Sequence, residues 1–190
     1  MGLFVDNKTF QKIGAENNYV EPGEYENCRF INCDFSNMDF SGFRFLNCEF
    51  ADCNLSMARL VETILQEVKF VNCKMLGLHF DDCNPFGLSF QFDKCILNHA
   101  SFYKLKIKKT VFKNSQLEGV DFAECDLSGS TFEGCNLLAA VFDATNIEKS
   151  DFRTSYNYSI DPEKNKIRKA RFSVSGISGL LDKYDIEIEN

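Results

Sequence analysis

Large apolar residues recur along this chain every five positions. Phe30, Phe35, Phe40, Phe45 and Phe50 are followed in phase by Leu55, Leu60, Leu65, Phe70, Met75 and Phe80. A second run starts at Phe92 and reads Leu97, Phe102, Ile107, Phe112, Leu117, Phe122, Leu127, Phe132, Leu137, Phe142, Ile147 and Phe152. The residue two places before each is usually small, as at Ala58, Thr63, Ser115 and Cys125, and the remaining positions are polar. A helix needs an apolar period of 3.6, a strand one of 2, and a coiled coil a heptad. The five-residue period predicts instead a chain that turns a corner every five residues. Each side sends one large and one small side chain inward, and each coil stacks on the last, as in other solenoids.

In the second run Phe alternates with Leu or Ile. Four sides per coil would stack Phe92, Phe112, Phe132 and Phe152 in one column and Phe102, Phe122 and Phe142 in the opposite one, whereas three sides would mix Phe with Leu. The motif stands as Ala140-Val141-Phe142-Asp143-Ala144 and Cys125-Asp126-Leu127-Ser128-Gly129, and it resembles that of the pentapeptide-repeat family over residues 24–153. The resemblance implies an all-β fold, a right-handed quadrilateral β-helix with four repeats per coil. Six to seven coils at a strand spacing of ~4.8 Å would make a rod about 30 Å long.

The pattern breaks at definite places. Residues 1–23 lack the repeat and are expected to cap the open end, as terminal repeats must. The two registers differ by two residues, and the slip falls near 84–91, at Asn84-Pro85-Phe86-Gly87. Pro and Gly there predict either a corner adjustment or a small protrusion displaying Phe86 or Leu88. Residues 154–166 read as an excursion loop, and the repeat resumes over 167–175 at Ile167 and Phe172. In 176–190, Ile177, Leu180, Leu181 and Tyr184 share one face of a short C-terminal helix, with Ser175 or Ser178 as its cap. Asp185 to Glu189 alternates like a strand.

Nine cysteines first suggest metal chemistry, but all nine occupy the small slot of the repeat, where a reduced thiol acts as a small hydrophobe. Cys33, Cys53 and Cys73 would then stack on one another. Neither histidine, His79 or His99, has an evident nucleophile or carboxylate partner, and no phosphate loop, dinucleotide fingerprint or serine elbow is present. The expectation is no catalytic residue, no metal site, no cofactor and no enzyme. The formal net charge of −7 argues against direct nucleic-acid binding through phosphates. No apolar stretch is long enough for a membrane span. The first residues lack the basic and apolar regions of a signal peptide, so a cytoplasmic location is expected.

Residues 24–152 carry 19 acids and 12 bases, and half of those bases fall in 94–113, where there is no acid. Lys104, Lys106, Lys108, Lys109 and Lys113 form the candidate basic patch, and Lys164, Lys166, Arg168, Lys169 and Arg171 make a second run. Function is therefore expected on the outside of the rod, as a non-catalytic scaffold for an unspecified protein partner. The alternative comes from the resemblance. Quinolone-resistance members of the family bind type II topoisomerases, and an acidic rod of duplex width mimics DNA. That would place this chain on DNA gyrase or topoisomerase IV and affect fluoroquinolone sensitivity. The chain departs from several of those members in lacking long inserted loops. Members of that group end in a Leu-Leu helix that forms a dimer, and Gly179-Leu180-Leu181-Asp182-Lys183-Tyr184 resembles it. Ile177, Leu180, Leu181, Tyr184, Ile186 and Ile188 are thus the candidate homodimer interface, or else an end cap.

Overall fold

The computed structural model describes residues 2–14 and 20–189. Its short strands are β1 Leu3–Asp6, β2 Thr9–Gln11, β3 Gly23–Glu26, β4 Arg29–Ile31, β5 Arg44–Leu46, β6 Glu49–Ala51, β7 Ile64–Gln66, β8 Val68–Val71, β9 Phe90–Asp93, β10 Val111–Lys113 and β11 Thr131–Glu133. Every pairing is parallel. β1, β3, β5 and β7 form one sheet, and β2, β4, β6, β8, β9, β10 and β11 a second. Two further sides close by single bridges, such as Asp34 with Asn54 and Ser101 with Asp121. Partners lie 20 residues apart, or 22 across the slip, so each regular coil has four five-residue sides, here called A (from β1), B (from β2), C and D in chain order. The protein is a right-handed quadrilateral β-helix.

The core is a ladder of rings. On side B, Phe10, Phe30, Phe50, Phe70, Phe92, Phe112, Phe132, Phe152 and Phe172 stack with centroids 4.5–5.4 Å apart. Opposite, on side D, Phe80, Phe102, Phe122 and Phe142 stack at 4.6–5.3 Å. The two columns meet edge to face, as Phe102 does with Phe112. Offset and edge contacts suit the ring quadrupole. Above the bulge the aliphatics Ile107, Leu127 and Ile147 fill side A and Leu97, Leu117 and Leu137 side C, as the Phe alternation of the second run predicts, whereas below it Tyr25 and Phe45 stand on side A and Phe35 on side C.

Parallel pairing begins before residue 24. Residues 1–23 were expected to lie outside the repeat, yet β1 and β2 pair with β3 and β4 and extend sides A and B by one rung. Val5, Phe10, Val20 and Tyr25 are in the first register, masked in sequence by the poor match of their neighbours. The remainder of that expected cap, residues 15–19, lies outside the described residues. With nine rungs on side B, the rod spans about 38 Å at the usual strand spacing.

Corners are made by a residue in the left-handed region once per side, often Asn, as at Asn27, Asn32, Asn47 and Asn72. Asn tolerates that region best among residues with a Cβ. Just before it, Asp or Asn side chains accept from backbone amides two residues on, as Asp121 does from Ala123 at 2.8 Å. The small slot has its own task. Its side chain donates to the central carbonyl of the coil beneath: Thr63 Oγ1 to Phe40 O at 2.8 Å, Ser150 Oγ to Leu127 O at 2.8 Å and Cys53 Sγ to Phe30 O at 3.3 Å.

The two-residue slip is absorbed on side A, between Asp82 and Phe90, while sides B, C and D keep their columns. Phe90 turns inward against Phe80 and Phe92. Residues 84–88 bulge out, with Phe86 81% exposed and Leu88 half-buried against the core. Gly87 supplies the positive φ that this turn requires. Gln66 Nε2 donates to Phe86 O at 3.2 Å, which pins the bulge to the coil below. The sheet of side A therefore stops at β7.

The C-terminus corrects three expectations. Residues 154–166 are no insertion, since Phe152 and Phe172 are a normal coil apart and still stack. The stretch replaces one regular side with a plug in which Tyr158 and Ile160 are buried. The expected short helix follows at Val174–Leu180 and is of the 3₁₀ type. It is capped by Ser173, which accepts from the Gly176 amide, and not by Ser175 or Ser178. A second 3₁₀ turn spans Asp182–Tyr184, and residues 185–189 form no strand. Apolar alternation alone cannot make a strand where no neighbour offers a hydrogen-bonded edge.

Candidate interaction surfaces

The core offers no room for chemistry, so candidate sites lie on the sides and the ends. Among the described residues no cluster of His, Cys, Asp and Glu could hold a metal ion. All nine cysteines are free thiols and buried. Burial pushes the thiols of Cys48 and Cys135 up to about 12 and raises those of Cys83 and Cys125 as well. High pKa and lack of exposure make these four inert. His79 does find a carboxylate, Asp81 at 3.2 Å, contrary to the sequence reading. The pair is exposed, and no nucleophile accompanies it.

The candidate basic patch divides at a corner. Lys104, Lys106, Lys108 and Lys109 lie along side A, whereas Lys113 belongs to β10 on side B. Three of the five are ion-paired to the next coil: Lys104 to Glu124 at 3.6 Å, Lys108 to Asp126 at 3.2 Å and Lys113 to Glu133 at 3.4 Å. Tyr103 and Glu124 together hold the Lys104 ammonium above its ordinary value. Lys106 and Lys109 have no ion pair among the described residues.

The second basic run lands above the first. Parallel bridges join Lys106 to Asp126, Asp126 to Asn146 and Asn146 to Lys166 in one column of side A. Lys164, Lys166, Arg168 and Lys169 thus share a face with Lys104 to Lys109, three coils apart. The separation of 60 residues, three coils of 20, was the available signal, and it needed the coil length to be recognised. Next to this face an open groove of about 370 Å³ runs between Glu67, Lys69, Leu88 and Lys109, where the bulge leaves the column.

Acids are not concentrated on one acidic face. Several pair with a base one coil away: Arg29 with Glu49, Arg44 with Glu24 and Arg171 with Asp151. Such exposed pairs contribute only about 0–1 kcal/mol each, but they neutralise charge locally.

The candidate end residues fall into two groups. Leu180 packs partly against the core and Leu181 is half-buried, whereas Ile177, Tyr184, Ile186 and Ile188 are half-exposed or more. Val174, absent from the sequence reading, is 91% exposed beside them. The end is tied down by Lys183, which bridges Asp161 and Glu163 at 2.7 Å each, and by Tyr184 Oη donating to Glu163 at 3.0 Å. Gly176 and Gly179 let the helix sit on Tyr158. A Cβ at Gly179 would run into the Tyr158 carbonyl.

A stacked quadrilateral solenoid with an aromatic ladder defines a class of repeat protein that offers flat sides rather than an active-site cleft. The family model "Pentapeptide repeat region" matches residues 24–91 and 88–156, and the chain belongs to that family. No curated protein sequence matches it. Two trypsin-treated forms of QnrB1, a plasmid-mediated fluoroquinolone resistance protein, share the fold. One has a TM-score of 0.65 at 20% identity over 99% of this chain and 98% of its own, and the other 0.64 at 21% over the whole of both. Among the described residues no helix is long and apolar enough to cross a membrane.

Proposed function

We propose that the protein is a non-catalytic scaffold of the cytoplasm that works by binding another protein along the sides of the rod. The observation that carries this reading is the basic group Lys164, Lys166, Arg168 and Lys169, which forms no ion pair among the described residues and lies along one side of the rod. Nine buried, reduced thiols favour a reducing compartment. Affinity capture from native cytosol tests it, with the wild type compared against Lys166→Glu/Lys169→Glu. A partner retained by the first and lost by the second is expected. A partner held equally by both would remove the basic group from the reading.

The second reading is binding to DNA gyrase or topoisomerase IV by DNA mimicry. The net charge of −7 and the fold shared with QnrB1 support it. The local neutralisation of acids by bases one coil away weighs against it. Gyrase supercoiling with and without the protein and a fluoroquinolone decides. An unchanged rate and unchanged drug inhibition at large molar excess would end this reading. We also propose that Val174, Ile177, Tyr184, Ile186 and Ile188 pair with their counterparts on a second copy, which would cover an exposed apolar end. Ile186→Asp/Ile188→Asp should then yield a monomer by light scattering in physiological salt.

A further inference from the structure

Side A carries a charge order that is its own complement. Its rows, read up the rod, hold Asp6; then Glu24 and Glu26; then Arg44 alone; then Glu62 and Glu67. The bulge with Phe86 occupies the fifth row. Above it come the four lysines of 104–109; then Glu124 and Asp126; then Glu148 with Lys149; then the four cations of 164–169. The signs below the bulge are the reverse of those above it at equal distance, except where the Glu24 row meets the near-neutral Glu148 row. Even the local reversal is mirrored, since Arg44 stands two rows below the bulge and Asp126 two rows above.

We propose that side A is a self-docking surface: two copies lie face to face and antiparallel, about a two-fold axis through the Phe86 row. This goes beyond the scaffold reading and does not depend on it. In such a pairing the axis lies across the rod, so each column faces the same column of the partner in reversed order. The strand and bridge registers give the columns: Glu24, Arg44 and Ile64 in one, continued by Lys106, Asp126, Asn146 and Lys166. Arg44 then meets Asp126. In the flanking columns Glu62 meets Lys104, Glu67 meets Lys109 and Asp6 meets Arg168. Symmetry makes every pair twice. Two like-charge contacts arise, Glu26 with Glu148 and Asp82 with itself, against four attractive ones. On the axis Phe86 meets Phe86.

The bulge also explains why the face is docked whole rather than in part. It ends the sheet of side A, leaves the exposed ring at the centre, and stands at the point where the charge order inverts. At about 38 Å by 15 Å the side offers roughly 1,200 Å² between two copies, the lower bound for a specific interface. Charge pairs that are mostly exposed make the association weak and salt-sensitive.

Sedimentation velocity tests this, in an Ile186→Asp/Ile188→Asp background that removes any contact through the C-terminal end. Self-association is expected at low salt and should weaken about tenfold or more near 0.5 M salt. Lys104→Glu/Lys109→Glu alone and Glu62→Lys/Glu67→Lys alone should each lose it. An equimolar mixture of the two variants should associate again, because each altered half then faces its complement. All four substituted positions are exposed, so folding should survive, and circular dichroism confirms it. A monomer at low salt and high concentration would overturn the proposal. So would association that the single variants leave unchanged, or a mixture that stays monomeric.

Discussion

The small slot two residues before each core residue shows how one side chain serves both packing and hydrogen bonding. Thr63 is fully buried, and its hydroxyl satisfies the Phe40 carbonyl. Thr63→Val keeps the volume and removes the donor, so it should destabilise by about 1–3 kcal/mol in denaturant melts. Phe112, between Phe92 and Phe132, is the larger stake, and Phe112→Ala should cost about 3–5 kcal/mol. The same slot sets an alkaline limit. Cys48 and Cys135 are raised to about 12 in the fold, against about 8.5 in an unfolded chain. Raised thiols stabilise the fold fully below the unfolded value. That stability is lost as pH climbs from about 8.5 toward 12, because the unfolded state can release protons the fold retains. Thermal melts should fall progressively above about pH 9, and a thiol reagent near pH 8 should label almost nothing before unfolding. Rapid labelling of the native protein would refute the burial argument.

At the scale of elements, the ends and the bulge depart from the repeat, and each departure has a local cause. The terminal 3₁₀ helix docks because Gly179 allows backbone contact with Tyr158. Gly179→Ala should free the helix from the rod while leaving the coils below intact. Early amide exchange confined to residues after about 157, with the main melting transition shifted by little, is the expected signature. A uniform loss of protection would show the end to be part of the cooperative core. The bulge needed no special chemistry beyond two residues and Gly87. Its presence was readable from the register slip, whereas the outward direction of Phe86 was not. Nothing in the apolar period says which of Phe86, Leu88 and Phe90 turns inward, and packing against Phe80 and Phe92 settles it in favour of Phe90.

For the whole molecule, the charge pattern decides behaviour more than the net charge does. The chain is acidic overall, yet several of its acids pair with bases one coil away, and its two basic runs fall mainly on side A. The protein should therefore be sensitive to ionic strength through one face, as the complementary-variant experiment reads. The five-residue period, the inward Phe columns and the place of every cysteine were all legible in the chain, because burial repeats with strict phase when each coil must fill the same section. The first rungs were missed because only Val5, Phe10 and Val20 carry the phase there, preceded by Leu3, Lys8 and Asn18 rather than by small residues. The 185–189 strand was read wrongly because alternation says nothing about a partner edge. The grouping of Lys106 with Lys166, the alignment of Arg44 opposite Asp126 about the bulge, and the exposure of the C-terminal apolar end belong to the tertiary structure alone. The sequence by itself determined what goes inside, since that follows from period. Only the stacking of coils decided what stands beside what on the outside, because surface neighbours here are twenty residues apart and meet only once the rod is built.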